Sequence, residues 1–136
     1  MNWTKFLIDS SKISAIYSDK LPLLESTVLH DVVLSRDGPK LILRLDLFEF
    51  PESPPQKWVK LGFNRVQIQL TALNIQNLKI EGLGTECMCN ISIHSENKVL
   101  FIKILGEEIK IEFTSEFLIL NKISAYLDNG KNTGHP

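Results

Sequence analysis

The chain has 136 residues, 43% of them hydrophobic and 23% charged, with 15 Lys and Arg against 16 Asp and Glu for a formal net charge of −1. That length and apolar content fit one domain around one core, and the near balance of charge leaves no basic footprint for neutralising nucleic-acid phosphates. No window approaches the roughly 18 apolar residues of a spanning helix, and the N-terminus lacks a cationic lead before an apolar run, so a cytoplasmic protein with no nucleic-acid or membrane partner is expected.

In chain order, Trp3, Phe6, Leu7, Ile13 and Tyr17 recur at helical spacing and predict one amphipathic helix over 3–17, with a kink at Ser10 and Ser11. Asn2 is placed to cap its start, and Leu21-Pro22 closes it, because a residue before proline is pushed out of the helical region. No later segment shows a helical period of comparable strength.

From residue 27 the period is two. "STVLHDVVLS" puts Val28, His30, Val32 and Leu34 on one face, and "KLILRLDLFEF" puts Leu41, Leu43, Leu45 and Leu47 on one face with Arg44, Asp46 and Phe48 on the other. The "RDGP" between them, 36–39, is a hairpin turn. "NRVQIQLTAL" turns Val66, Ile68 and Leu70 inward and Gln67, Gln69 and Thr71 outward, so one face of this strand is wet. "NLKIEGLG", "CMCNISIHS", "KVLFIKIL", "EIKIEFT" and "FLILNKISAYL" follow as strands, with hairpin turns expected at 95–97, 106–107 and 115–116. The fold class is α+β and mostly β: an N-terminal helix packed on a large, twisted or partly closed antiparallel meander sheet. A single domain spans 1–127 and a flexible tail 128–136.

The segment "FPESPP" cannot continue a central strand, since proline lacks the amide donor. The chain leaves the sheet there, and Trp58 and Phe63 anchor its return. A stiff loop of this kind is structural, and it also presents side chains to a partner at low entropic cost.

Catalytic motifs are absent from the sequence: there is no Gly-rich phosphate loop, nucleophile elbow or metal motif. Cys87 and Cys89 share a strand face and read as buried reduced thiols, because two more ligands for zinc are not in place; no metal and no cofactor are expected. His30 on an apolar strand face reads as a hydrogen-bonded core residue. An enzyme built on His30 with Asp46 or Glu49 requires those side chains to converge in a cleft. The carboxylates Asp37, Asp46, Glu49 and Glu52 crowd residues 37–52, either as a solvated strand face or as an acidic surface for a basic partner.

The helix segment "NWTKFLIDSSKISAIY", the run "LPLLESTVLHDVVLSRDGPKLILRLDLFEFPESPPQKW", the strand "NRVQIQL" and the later "LKIEGLG" and "ISAYL" together resemble the immunity protein 50 family of bacterial polymorphic toxin systems, over residues 3–127. The family is mostly β with marked tryptophans, which Trp3 and Trp58 fit. The resemblance implies an intracellular antidote without catalysis that binds a cognate toxin domain and blocks it by occlusion. Asp37, Asp46, Glu49, Glu52 and Trp58 are then the expected partner contacts, the carboxylates mimicking the polyanionic substrate of a basic toxin. The alternative is a small-molecule or protein-binding module on a partly closed β-sheet, distinguished by a deep apolar cavity.

Overall fold

The structure, a computed structural model, describes residues 2–85 and 88–129. Eight antiparallel strands form one sheet that is not closed: β1 (Thr27–Ser35), β2 (Lys40–Leu47), β3 (Arg65–Leu73), β4 (Gln76–Glu81), β5 (Met88–Glu96), β6 (Val99–Gly106), β7 (Lys110–Ser115) and β8 (Phe117–Tyr126), in the order β4-β7-β6-β5-β1-β2-β3-β8. The mostly β class with a short N-terminal helix is the one expected. Two runs of three neighbours, β1-β2-β3 and β5-β6-β7, are meanders; β4 and β8 cross over and lie beside each other's neighbours.

The crossing has a local cause. β3 passes into β4 through Asn74, at φ 54, and buried Ile75, while β7 passes into β8 through Glu116 alone. The ladder from Leu73↔Phe117 resumes at Gln76↔Thr114, so residues 65–81 and 110–126 make one long antiparallel pair bent at a shared corner. Glu116 N donates to Leu73 O at 3.1 Å, and Asn74 Nδ2 donates to Glu116 Oε1 at 3.0 Å, which fixes the bend. The hairpin expected at 115–116 is therefore a corner instead, because the Leu73 carbonyl takes the amide that a hairpin would use internally. At the opposite side, among the described residues, β1 and β5 pair through Thr27↔Cys89 and Val28↔Met88 alone.

The sheet thus consists of two four-stranded halves, β1-β2-β3-β8 and β5-β6-β7-β4, whose inner faces share one hydrophobic cluster. Leu41, Leu43, Leu45, Val66, Ile68 and Leu70 come from one half and Ile91, Ile93, Ile102, Ile104, Ile111 and Phe113 from the other. They alternate with outward residues that are mostly polar, with Ile42, Phe101 and Leu105 as apolar exceptions, the pattern of a sheet with one wet face. Cys89 lies on the inner face with Ile91 and Ile93, buried, its Sγ 3.5 Å from Thr27 Oγ1. Cys87 lies outside the described residues, as do residues 130–136 of the expected tail; Asp128 before them pairs its carboxylate with Arg65 at 2.9 Å.

The single helix expected over 3–17 is divided into a 3-10 turn, Trp3–Phe6, and α1, Ser11–Tyr17. Leu7 is extended (φ −74, ψ 144) and bridges Leu118, and Ile8 N donates to Leu118 O at 3.0 Å. A bond to the sheet replaces the helical one, so tertiary pairing overrides periodicity. Asp9 Oδ1 then accepts from Ser11 N at 2.9 Å and restarts the helix. Asn2 caps the 3-10 turn, accepting from Thr4 N at 3.1 Å. Trp3 is 3% exposed and donates from Nε1 to Pro22 O at 2.7 Å, pinning the N-terminus to the segment leading into β1.

The proline-rich excursion holds a helix that the period did not reveal: α2, Gln56–Lys60. Pro55 stands at its N-cap and Gly62, at φ 69, follows its end, the proline-before, glycine-after signature of a short helix. Trp58 is partly buried against the core, its ring 6.1 Å from that of Phe50 and tilted by 46°. Replacing Trp58 with Ala removes this anchor at a cost of about 2 kcal/mol, below the ~3 kcal/mol or more of a fully buried aromatic. Urea denaturation of Trp58→Ala measures it; a loss under about 0.5 kcal/mol, the range of unconstrained surface changes, would contradict an anchoring role.

Candidate functional site: two outer faces of the sheet

The outer face of β1-β2-β3-β8 is organised by one buried carboxylate. Asp46 is 3% exposed although it alternates out of the core along β2. Its Oδ2 accepts from His30 Nε2 at 2.9 Å and from the Tyr126 hydroxyl, and its Oδ1 accepts from Gln67 Nε2 at 3.1 Å. His30 belongs to β1, Gln67 to β3 and Tyr126 to β8, so each of the other strands of this half supplies one donor to β2. No buried side-chain polar atom lacks a partner among the described residues.

His30 reaches Asp46 because β1 is irregular. The register moves from Leu29↔Leu45 to Asp31↔Arg44, leaving His30 as the extra residue of a bulge. The strict alternation expected for Val28, His30, Val32 and Leu34 fails at that point: Leu29, opposite Leu45, is the buried residue, and His30 turns to the outer face. His30 and Asp46 do converge, as an enzyme built on them requires. Yet Asp46 has both oxygens occupied by strand-to-strand hydrogen bonds, and Glu49 is elsewhere, its Oε1 accepting from Leu23 N at 2.9 Å. A hollow of about 40 Å³ between Arg44, Gln67 and Lys122 on this face is too small for more than a water or two. The arrangement clamps four strands together.

The expected acidic surface is not one surface. Asp37 is exposed at the β1–β2 turn, whereas Glu49 and Glu52 lie past the other end of β2, a strand of eight residues and about 25 Å. Asp46 between them is buried. Glu52 pairs with Lys20 at 2.8 Å, both side chains well exposed, and Glu49 is half-buried, its carbonyl accepting from the Tyr17 hydroxyl at 2.6 Å. Trp58 is in the same loop as Glu52 but partly buried. Sequence proximity placed these carboxylates together; strand extension and burial take them apart.

The outer face of β5-β6-β7-β4 is different in kind. Ser92, Lys103, Glu112 and Lys79 form one cross-strand row, and His94, Phe101, Thr114 and Gln76 the next. Over them lies a groove of about 490 Å³, lined by Asn77, Lys79, His94, Phe101, Lys103 and Glu112 among others. The His94 and Phe101 rings stack with centroids 5.0 Å apart and planes within 7°. The Glu112 carboxylate is shared, 3.7 Å from Lys103 Nζ and 3.8 Å from Lys110 Nζ. Two lysines around one carboxylate, with Lys79 in the same row, give this groove a modest positive excess. None of its residues stood out in the sequence; the signal was the wet face of each strand, which carries no motif.

Both tyrosines of the chain titrate abnormally. Burial pushes the Tyr126 phenol up, and its hydrogen bond to the Asp46 carboxylate adds to the shift; burial, then the Glu49 charge, pushes Tyr17 up. Each folded pKa lies above the unfolded value of about 10, so the associated stability is full below that pH and is lost as pH rises through the folded values. Ultraviolet titration of the native protein should therefore show no phenolate near pH ~10, with both tyrosines ionising together as the chain unfolds at higher pH. A phenolate step near pH ~10 with the fold intact would contradict the buried environments. Asp46→Ala leaves three donors without an acceptor and should cost about 3 kcal/mol in urea denaturation, against about 1 kcal/mol for Tyr126→Phe, which removes one hydrogen bond. Equal and negligible losses would show that the cluster is not a clamp.

The sequence profile of the family described as Immunity protein 50 matches residues 9–126, most of the chain. Comparisons with curated proteins and with solved structures find no match. The matched span takes in α1 and all eight strands, including every residue of the Asp46 cluster and the groove, and on that extent the chain belongs to the Immunity protein 50 family.

Proposed function

We propose that this protein neutralises a cognate bacterial toxin domain in the cytoplasm by binding it and occluding its active surface, without catalysis. The observation that carries the reading is family membership along residues 9–126. The geometry agrees with it: the His30–Asp46 pair is spent on joining strands, and the outer face of the other half-sheet carries an open groove of about 490 Å³. A groove of mixed aromatic and charged side chains is what protein partners engage, whereas a small-molecule module needs a deeper apolar enclosure.

On this reading the contact is the groove, with Phe101 and the His94 ring as the apolar centre and Lys79, Lys103 and Glu112 around it. Side chains held by a sheet are already ordered, so binding loses little entropy there. A partner loop bearing a carboxylate and an apolar side chain is the complement to this surface.

The test is the affinity of the full chain for the toxin domain encoded beside its gene, by calorimetry, with protection of cells expressing that toxin as the second readout. Phe101→Ala combined with Lys103→Glu should weaken binding at least tenfold, about 1.4 kcal/mol, and Glu52→Lys in the distant loop should leave it within about twofold. The opposite pattern would move the contact to the acidic loop. Wild-type protein that neither binds nor protects would remove the role itself.

A further inference from the structure

The two ends of the sheet are guarded. β4 carries a bulge between Gln76 and Lys79, with Asn77 at φ 57 and charged Lys79 and Glu81 along it. β8 is covered where Leu7 bridges Leu118 and where Lys12 Nζ donates to Asn121 O at 3.0 Å. Bulges, charges and a covering segment are the ordinary protections of a strand edge.

An unguarded edge lies inside the strand order. β1 pairs with β2 along its length but, among the described residues, with β5 only at Thr27 and Val28. Among the described residues, no strand and no turn takes the backbone groups of Asp31–Ser35 that point away from β2. This stretch, "DVVLS", has no proline, glycine or lysine, its bulge lies before it, and Val33 and Leu34 are 49% and 50% exposed.

We propose that this edge pairs with the same edge of a second copy of the chain, joining two sheets across a two-fold axis. The sequence is self-complementary in antiparallel register. A two-fold centred on Val33 sets Val33 against the partner's Val33, Val32 against the partner's Leu34 and Asp31 against the partner's Ser35. Apolar pairs fill the middle, and no like charges stand directly opposite. Such a contact is isologous and closes on itself, so it ends at a dimer and does not propagate. It uses no residue of the groove, which leaves both grooves available. A single strand pair buries less than a standard interface, so the dimer is expected to dissociate in the micromolar range or above.

Sedimentation of the full chain across a concentration series should show a monomer–dimer equilibrium, and Val33→Asp, which sets two carboxylates face to face, should yield half the dimer mass at every concentration with an unchanged circular dichroism spectrum. Register is read separately: Val33→Cys should cross-link as a homodimer under mild oxidation, while Ser35→Cys, about 13 Å from its twin, and the wild type should not. A wild type that stays monomeric throughout overturns the proposal, and so does a dimer indifferent to Val33→Asp. A monomer whose affinity for the toxin domain falls on Val33→Asp would overturn it in favour of a toxin strand on this edge.

Discussion

A carboxylate shut away from water must have its oxygens filled by the protein, or its burial costs several kcal/mol. Asp46 meets that demand with one donor from each neighbouring strand of its half-sheet, His30, Gln67 and Tyr126. The consequence reaches past the site. Three donors fixed on one acceptor hold β1, β2, β3 and β8 in a single register, and a slip of one residue in any of them would leave a buried polar group unpaired as well as turn its apolar side chains outward. The bulge at His30 belongs to the same constraint, since a regular β1 would keep the imidazole on the face of Val32 and Leu34.

The second constraint is the corner. Because Asn74 and Glu116 bend a long strand pair, the two halves of the sheet close over one core without closing into a barrel. A helix as short as α1, of seven residues, could not cover eight strands, so the halves must cover each other. That geometry also explains the short seam. With β3–β4 and β7–β8 continuous on one side, the β1–β2 and β5–β6 hairpins meet on the other where, among the described residues, Thr27 and Val28 pair with Cys89 and Met88, extended by Ile91 N donating to Leu24 O at 2.8 Å and Ser26 N donating to Asn90 Oδ1 at 2.8 Å. The Thr27 hydroxyl, donating to Cys89 O at 2.9 Å from a fully buried position, secures that short seam.

Alternation is a direct imprint of burial, so the inward leucines of β2, the wet glutamines of β3 and the turn at 36–39 were all legible in the sequence. What was not legible depends on partners far along the chain. Nothing local tells Leu7 to leave its helix for Leu118, and nothing near Asp46 points to Tyr126, 80 residues away. The bulge at His30 is invisible because "VLHDVV" alternates as well with it as without it. Carboxylates adjacent in sequence were read as adjacent in space, and a strand separates its ends by its full length. α2 had a signal in Pro55 and Gly62, but five residues carry too little period to compete with three prolines before them.

The two outer faces divide the chemistry of the molecule. On one, polar side chains are consumed by each other: the Asp46 lone pairs go to three strands, Arg44 goes to Asp31 at 2.7 Å and Arg65 to Asp128 at 2.9 Å. A face whose charges are already matched gains little from a partner, which must first break what it replaces. On the other, Lys103 and Lys110 share one carboxylate at distances beyond a good hydrogen bond, and a stacked ring pair lies open beside them. That face offers groups with unspent capacity on strands that are already ordered, the kind of surface the proposed occlusion by binding would use, whereas at the Asp46 cluster the same kinds of groups are spent on holding strands together.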